Sequence, residues 1–127
     1  ELIRHSRNLD PETQINLDYY PLLKAGERFP INDPAFPPRL EPRPPDDQTF
    51  LHGLLLGMSK VEALAYNRLK ELGGPDLKSL RTVGGGSKNS VWTALRQKQI
   101  PVPIQNVASD QAAAGAARLA WKGLLSV

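Results

Sequence analysis

The sequence predicts an α/β fold, and three observations predict it. A long amphipathic helical pattern leads into a β-rich run, three consecutive glycines and a second helical pattern. A short alternating run and an alanine-rich helical pattern follow. Helix and strand signals therefore alternate from residue 47 onward, whereas residues 1–46 carry neither period.

The first part, 1–46, reads as a proline-rich irregular segment. Nine of the twelve prolines fall at or before Pro45. The run Pro37-Pro38-Arg39-Leu40-Glu41-Pro42-Arg43-Pro44-Pro45 favours extended polyproline II geometry, since each proline fixes φ and lacks an N–H. Such a run serves either as a ligand for a proline-recognising module or as a spacer laid over a surface. Tyr19-Tyr20-Pro21-Leu22-Leu23 with Phe29, Ile31 and Phe36 are too apolar for a free linker and are expected to pack. Gly26-Glu27-Arg28 reads as a turn with a surface ion pair, worth little in stability.

From residue 47 the pattern is helical. Asp46 or Asp47 supplies an N-cap. Phe50, Leu54, Met58, Val61, Ala65, Leu69 and Leu72 recur at steps of four and three, one stripe of an amphipathic helix. Gly73-Gly74-Pro75 ends it, with glycine free to adopt the left-handed conformation and proline unable to continue. About 26 residues at 1.5 Å each give roughly 39 Å, enough to cross a domain face. His52 has no partner at metal-ligand spacing and reads as structural or exposed.

The strand Leu80-Arg81-Thr82-Val83 then feeds Gly84-Gly85-Gly86, and a helix runs from Ser87 to about Lys98 with Val91, Trp92 and Leu95 on one face. Strand, glycine turn and helix start bring backbone N–H groups and a positive dipole end together. A ligand can lie against backbone that has no Cβ, and this suits a nucleotide, through its phosphates or the flat face of its base. A tight turn uses the same residues. Ile100-Pro101-Val102-Pro103-Ile104-Gln105 reads as a brief edge strand, because its prolines cannot donate. Ser109-Asp110 looks like an N-cap, and Gln111 to about Leu125 forms the last helix. Gly115 costs that helix about 1 kcal/mol relative to alanine, so a neighbouring backbone or ligand is expected to need the space.

Composition removes several classes. The chain has 127 residues, 40% hydrophobic and 23% charged, so most of it should fold around one core. Cysteine is absent, which excludes a disulfide scaffold, a thiolate metal site and a cysteine nucleophile. No run approaches the roughly 18 apolar residues of a membrane span. The net charge of +3 is scattered rather than clustered, which argues against a nucleic-acid partner. The chain opens at Glu1 and its one methionine is Met58, which predicts that it is processed or part of something longer. Two strands make a marginal sheet and point the same way.

Four segments in order resemble the C-terminal end of the FGGY carbohydrate kinases. They are Gly26-Glu27-Arg28-Phe29-Pro30 with Asp33-Pro34, Phe50 to Met58, Gly84-Gly85-Gly86-Ser87-Lys88-Asn89-Ser90-Val91-Trp92, and Ser109 to Ala117. The proline-rich run and Asp46-Asp47-Gln48-Thr49-Phe50 look closest to the ribulose- or xylulose-kinase-like branch of cyanobacteria and plants. The resemblance implies the C-terminal part of an actin/hexokinase-like (ribonuclease H-like) ATPase domain, with 47–127 as its nucleotide-binding subdomain. It implies ATP and Mg2+ as cofactors, a pentulose as substrate, and a cytoplasmic or, in a plant, chloroplast location. It also implies that Gly85 and Gly86 lie against the nucleotide and that Asn89 hydrogen-bonds adenine or ribose, with Gly84 and Lys88 beside them. Trp92 reads as core. The catalytic base and the sugar ligands lie outside this segment, since no aspartate here sits in a matching motif. Two departures stand out: Leu56 occupies a position where the family often has glutamate, and the connection from Arg96 to Pro101 lacks the usual glycine. The competing reading is a non-catalytic α/β interaction module that uses its proline-rich segment.

Overall fold

The computed structural model describes residues 5, 6, 8–109 and 112–124. From residue 47 onward the described residues form α1 (Asp47–Glu71), β1 (Leu80–Arg81), a 3-10 turn (Gly85–Lys88), α2 (Ser90–Gln99), β2 (Ile104–Gln105) and α3 (Ala112–Leu124) in order. The strands pair in parallel, Leu80 with Ile104 and Arg81 with Gln105. Both are shorter than their sequence signals. Pro101 and Pro103 cannot donate to a ladder, and Leu80 N–H reaches the Pro103 carbonyl at 2.9 Å instead.

The signals at the ends of α1 act as expected. Asp46 accepts from Thr49 N–H at 2.7 Å, and that hydrogen bond holds its carboxyl below the usual carboxylate range. Asp47 sits in the first turn and Arg68 and Lys70 in the last, each at the end of the dipole that favours it. Gly73 takes φ 90°, and Gly74 N–H caps the Leu69 carbonyl at 2.9 Å.

The buried face of α1 differs from the predicted stripe. Met58, Leu69 and Leu72 are exposed, and Phe50, Leu54, Val61 and Ala65 are half-buried. The buried residues are His52, Gly53, Leu55, Gly57 and Ser59. The reason is a close approach by the N-terminal segment. A Cβ on Gly53 would lie 2.8 Å from Tyr19 Cε2, and one on Gly57 would lie 2.7 Å from the Tyr19 carbonyl oxygen. Tyr19 is 1% exposed, donates its hydroxyl to the Pro42 carbonyl at 2.6 Å and meets Phe50 edge to face. Further along, Leu55 packs with Leu9, Val91 and Leu95, and Leu51, Leu56 and Trp92 close over this cluster. Leu56, at the position where the resembling family often has glutamate, is thus half-buried against the core.

The proline-rich segment is fastened down. Tyr20 and Arg39 exchange both backbone hydrogen bonds, and the Arg39 guanidinium holds the Asp18 carbonyl and carboxylate. Glu27 does not pair with the Arg28 side chain. Its carboxylate accepts from the Arg28 and Phe29 N–H groups and from the Tyr20 hydroxyl, which holds it below the usual carboxylate range. Burial, with help from Glu27, pushes the Tyr20 hydroxyl up to about 12.

At the other end, α3 stands clear of the core. Leu119 and Trp121 are exposed, and no atom lies within 4 Å of a Cβ built on Gly115. The expected close neighbour of Gly115 is therefore absent among the described residues. The predicted cap at Asp110, with Gln111 and Leu125, lies outside them. Among the described residues no helix is long and apolar enough to cross a membrane.

Helix propensity and contact oppose each other at these glycines, which gives a paired prediction. Gly115→Ala should stabilise by up to about 1 kcal/mol, since only propensity changes. Gly57→Ala should destabilise by about 1–3 kcal/mol through overpacking against Tyr19. Chemical denaturation of both variants reads the two signs directly.

His52 supplies a pH dependence. It is buried with no hydrogen-bond partner at Nε2, and burial holds its pKa below the ordinary value, Asp10 opposing and Lys98 assisting. The unfolded chain therefore binds the proton more readily than the folded one. Stability should be greatest above about pH 6.5, the ordinary histidine value, and fall as pH drops below it. Denaturation midpoints at pH 7.5 and 5.5 should differ in the native protein and converge in His52→Gln.

Candidate functional site

The site is built where β1 hands over to α2. β1 ends at Arg81, and Thr82 and Val83 lead out to Gly84, whose φ of 79° disfavours any side chain. The chain then makes one 3-10 turn over Gly85–Lys88, closed by Ser87 Oγ donating to the Gly84 carbonyl at 2.6 Å. The predicted helix start at Ser87 is thus a separate turn, and α2 begins at Ser90.

Asn89 separates turn from helix. It is buried, its own N–H reaches the Gly86 carbonyl at 3.1 Å, and its Oδ1 accepts from Trp92 N–H at 3.0 Å. That is an N-cap, a role the sequence reading did not give it. The cap uses one of the two Oδ1 lone pairs, and the side-chain NH2 group carries two donors besides.

The three glycines are glycines for different reasons. Gly84 meets no neighbour and is required by its positive φ. Gly86 is required by packing, because a Cβ there would stand 2.4 Å from Trp92 Cζ3. Gly85 has neither constraint: its φ is not positive, no atom lies within 4 Å of its Cβ position, and it is exposed. Lys88 is exposed. Trp92 is half-buried against the core, and its Nε1 is buried without a hydrogen-bond partner.

Beneath the turn lies a buried charge cluster that sequence reading missed. Arg96, 6% exposed, donates Nε and Nη2 to the two carboxylate oxygens of Glu62 on α1, each at 2.6 Å. Its Nη1 donates to Thr82 Oγ1 at 2.6 Å, and its guanidinium carbon lies 5.3 Å from the Trp92 ring centre. The Glu62 hydrogen bonds raise the Arg96 pKa. Nothing in local spacing links two residues 34 apart.

A cleft of about 750 Å³ opens beside the turn, lined on one side by Ser87, Ser90, Thr93 and Gln97 and on the other by Gln105 and Asn106 among others. It lies beyond the carboxyl ends of both parallel strands, where open α/β sheets place their ligands. Its polar side chains are hydroxyls and amides without formal charge. Gly85 and Gly86 in the turn, and Gly84 and Asn89 on either side of it, do not line this cleft. The helix α2 ends in an extended Ile100, φ −127°, so the missing glycine in that connection is not needed.

With this geometry in view, comparison with known proteins adds one likeness. Over 76 residues, 59% of this chain, the sequence is 29% identical to L-fuculokinase of Salmonella typhi. The chain is similar to a carbohydrate kinase. The matched stretch covers 16% of that enzyme's length. No protein-family model matches the chain.

Gly85 leaves a stretch of exposed backbone with no atom near its Cβ position, space that a flat ligand could use. Among the described residues no three His, Asp or Glu side chains gather to hold a metal ion.

The roles of these residues separate by substitution. Gly86→Ala should displace the Trp92 ring and cost about 1–3 kcal/mol, with a shift in tryptophan fluorescence. Asn89→Ala should lose about 1 kcal/mol with the cap, while Asn89→Asp retains the acceptor and the stability. Gly85→Ala should change stability by less than about 0.5 kcal/mol.

Proposed function

We propose that this chain is the nucleotide-side portion of an ATP-dependent carbohydrate kinase of the FGGY kind, on an actin/hexokinase-like domain. The observation that carries the reading is Gly85. Backbone strain accounts for Gly84 and tryptophan packing for Gly86, but neither accounts for a bare backbone at Gly85. A nucleotide lying against the turn does. The likeness to L-fuculokinase supports the same reaction class.

In this reading ATP supplies the phosphoryl group transferred to a sugar hydroxyl. This chain's part is to bind and orient: Gly84 and Gly85 form a flat wall for the nucleotide, and the Asn89 amide nitrogen donates to adenine or ribose. Phosphoryl transfer also needs a base, metal and further charge around the phosphates. Those groups, with the sugar ligands, belong to another part of the protein, and this segment alone turns nothing over. The substrate is a pentulose such as ribulose or xylulose, with L-fuculose as the comparison the relative's name provides. The interaction-module reading has less support, because Arg39 in the middle of the proline run is held by Tyr20 and Asp18.

Calorimetric titration of the full-length protein with MgATP and MgADP tests this. Gly85→Val and Asn89→Asp should each weaken binding about tenfold or more, the loss of about 1.4 kcal/mol, with the thermal midpoint held. Native affinity in both variants would remove these residues from the site. Phosphorylation assays on ribulose, xylulose and L-fuculose then rank the sugars.

A further inference from the structure

We propose that Arg96 is a positioning residue for the glycine turn, acting through Thr82 at its start and Trp92 at its far side. The inference rests on the nucleotide reading above and adds what holds the site in register.

Three contacts of one guanidinium carry it. The Glu62 pair anchors Arg96 to α1 with two hydrogen bonds of 2.6 Å, a bidentate geometry that fixes the plane of the guanidinium. The third donor, Nη1, is thereby aimed at Thr82 Oγ1, also at 2.6 Å. Thr82 is the first residue beyond β1, two before the positive-φ Gly84. On the other side, Arg96 lies one helical turn after Trp92 and 5.3 Å from its ring. That ring occupies the space a side chain on Gly86 would fill. One buried cation thus touches the residue that leads into the turn and the ring that backs it. The exposed turn otherwise rests on local bonds, from Ser87 to Gly84 and from Asn89 to Gly86.

Net stability is a poor account of this arrangement. Desolvation offsets much of the attraction in a buried ion pair, and apolar side chains of similar volume often replace one at no loss. What apolar replacements cannot do is point a hydrogen bond at Thr82. The distinctive consequence of the cluster is therefore geometric, fixing where the strand lets the backbone go and so where Gly85 stands.

Two variants of the full-length protein separate position from stability. Thr82→Val removes the accepting hydroxyl and leaves the Arg96–Glu62 pair whole. The double variant Glu62→Leu with Arg96→Met removes both charges together, avoiding the unpaired buried charge that either single change would leave. Amide hydrogen exchange at Ser87 and Asn89, compared with amides in the middle of α1 and α2, reports the turn directly. MgADP affinity reports the site. Both variants should speed exchange at Ser87 and Asn89 about tenfold, with the helices' protection kept, and weaken MgADP in parallel. Arg96→Lys, which keeps the charge without the fork, should not restore the turn. Native exchange at Ser87 and Asn89 in both variants would overturn the inference whatever happens to MgADP. Failure of the native protein to bind MgADP would instead overturn the nucleotide reading, and the exchange rates would still decide the role of Arg96.

Discussion

The close approach of Tyr19 to α1 is the constraint on which the remaining packing depends. Two glycines four residues apart leave one face of the helix bare, and the Tyr19 ring and carbonyl lie against it at distances no Cβ would permit. With Tyr19 seated there, its hydroxyl fixes the Pro42 carbonyl, and Tyr20 pairs with Arg39. An apparently irregular segment thereby acquires one path over the helix. The adjoining face of α1 is left for α2, where Leu55, Val91 and Leu95 meet. A single helix thus holds the N-terminal segment on one side and carries the helix behind the glycine turn on the other.

Much of this was legible in the sequence, and the misses share a cause. Local chemistry announced the ends of α1: a capping aspartate and a glycine pair before proline act within a few residues of themselves. The buried face was misread because the stripe was drawn through the largest apolar side chains. Met58, Leu69 and Leu72 face water, while His52, Gly53, Gly57 and Ser59 are buried. Burial by close backbone approach selects small residues, which a hydrophobic stripe passes over. The spacing of Gly53 and Gly57 was the available signal, since residues four apart share a helix face. Glu62 and Arg96 had no such signal, because their pairing exists only once α1 and α2 are packed.

At the turn, sequence reading gave the glycines too uniform a role. A glycine triplet looks like one feature, yet its members answer to backbone conformation, open space and tryptophan packing in turn. Asn89 likewise does two kinds of work on the nucleotide reading. Its oxygen closes the first turn of α2, and a cap so fixed gives the amide nitrogen a defined direction. An amide already held by the fold gives up less freedom when it donates to a ligand than one that must first be ordered.

That economy depends on the turn itself being held, and a parallel sheet of two short strands is a weak foundation for it. The paired strands end at Arg81, so nothing in the ladder controls Thr82, Val83 or Gly84. Hydrophobic packing under Trp92 restrains the far side of the turn but is indifferent to small slides. A charged fork anchored on α1 is not indifferent, since its hydrogen bonds weaken steeply with misalignment. Placing the directional contact at Thr82 and the bulky one at Gly86 restrains the two sides of the turn by different means. The exposed residue between them, Gly85, can then have a bare backbone without having an undefined position.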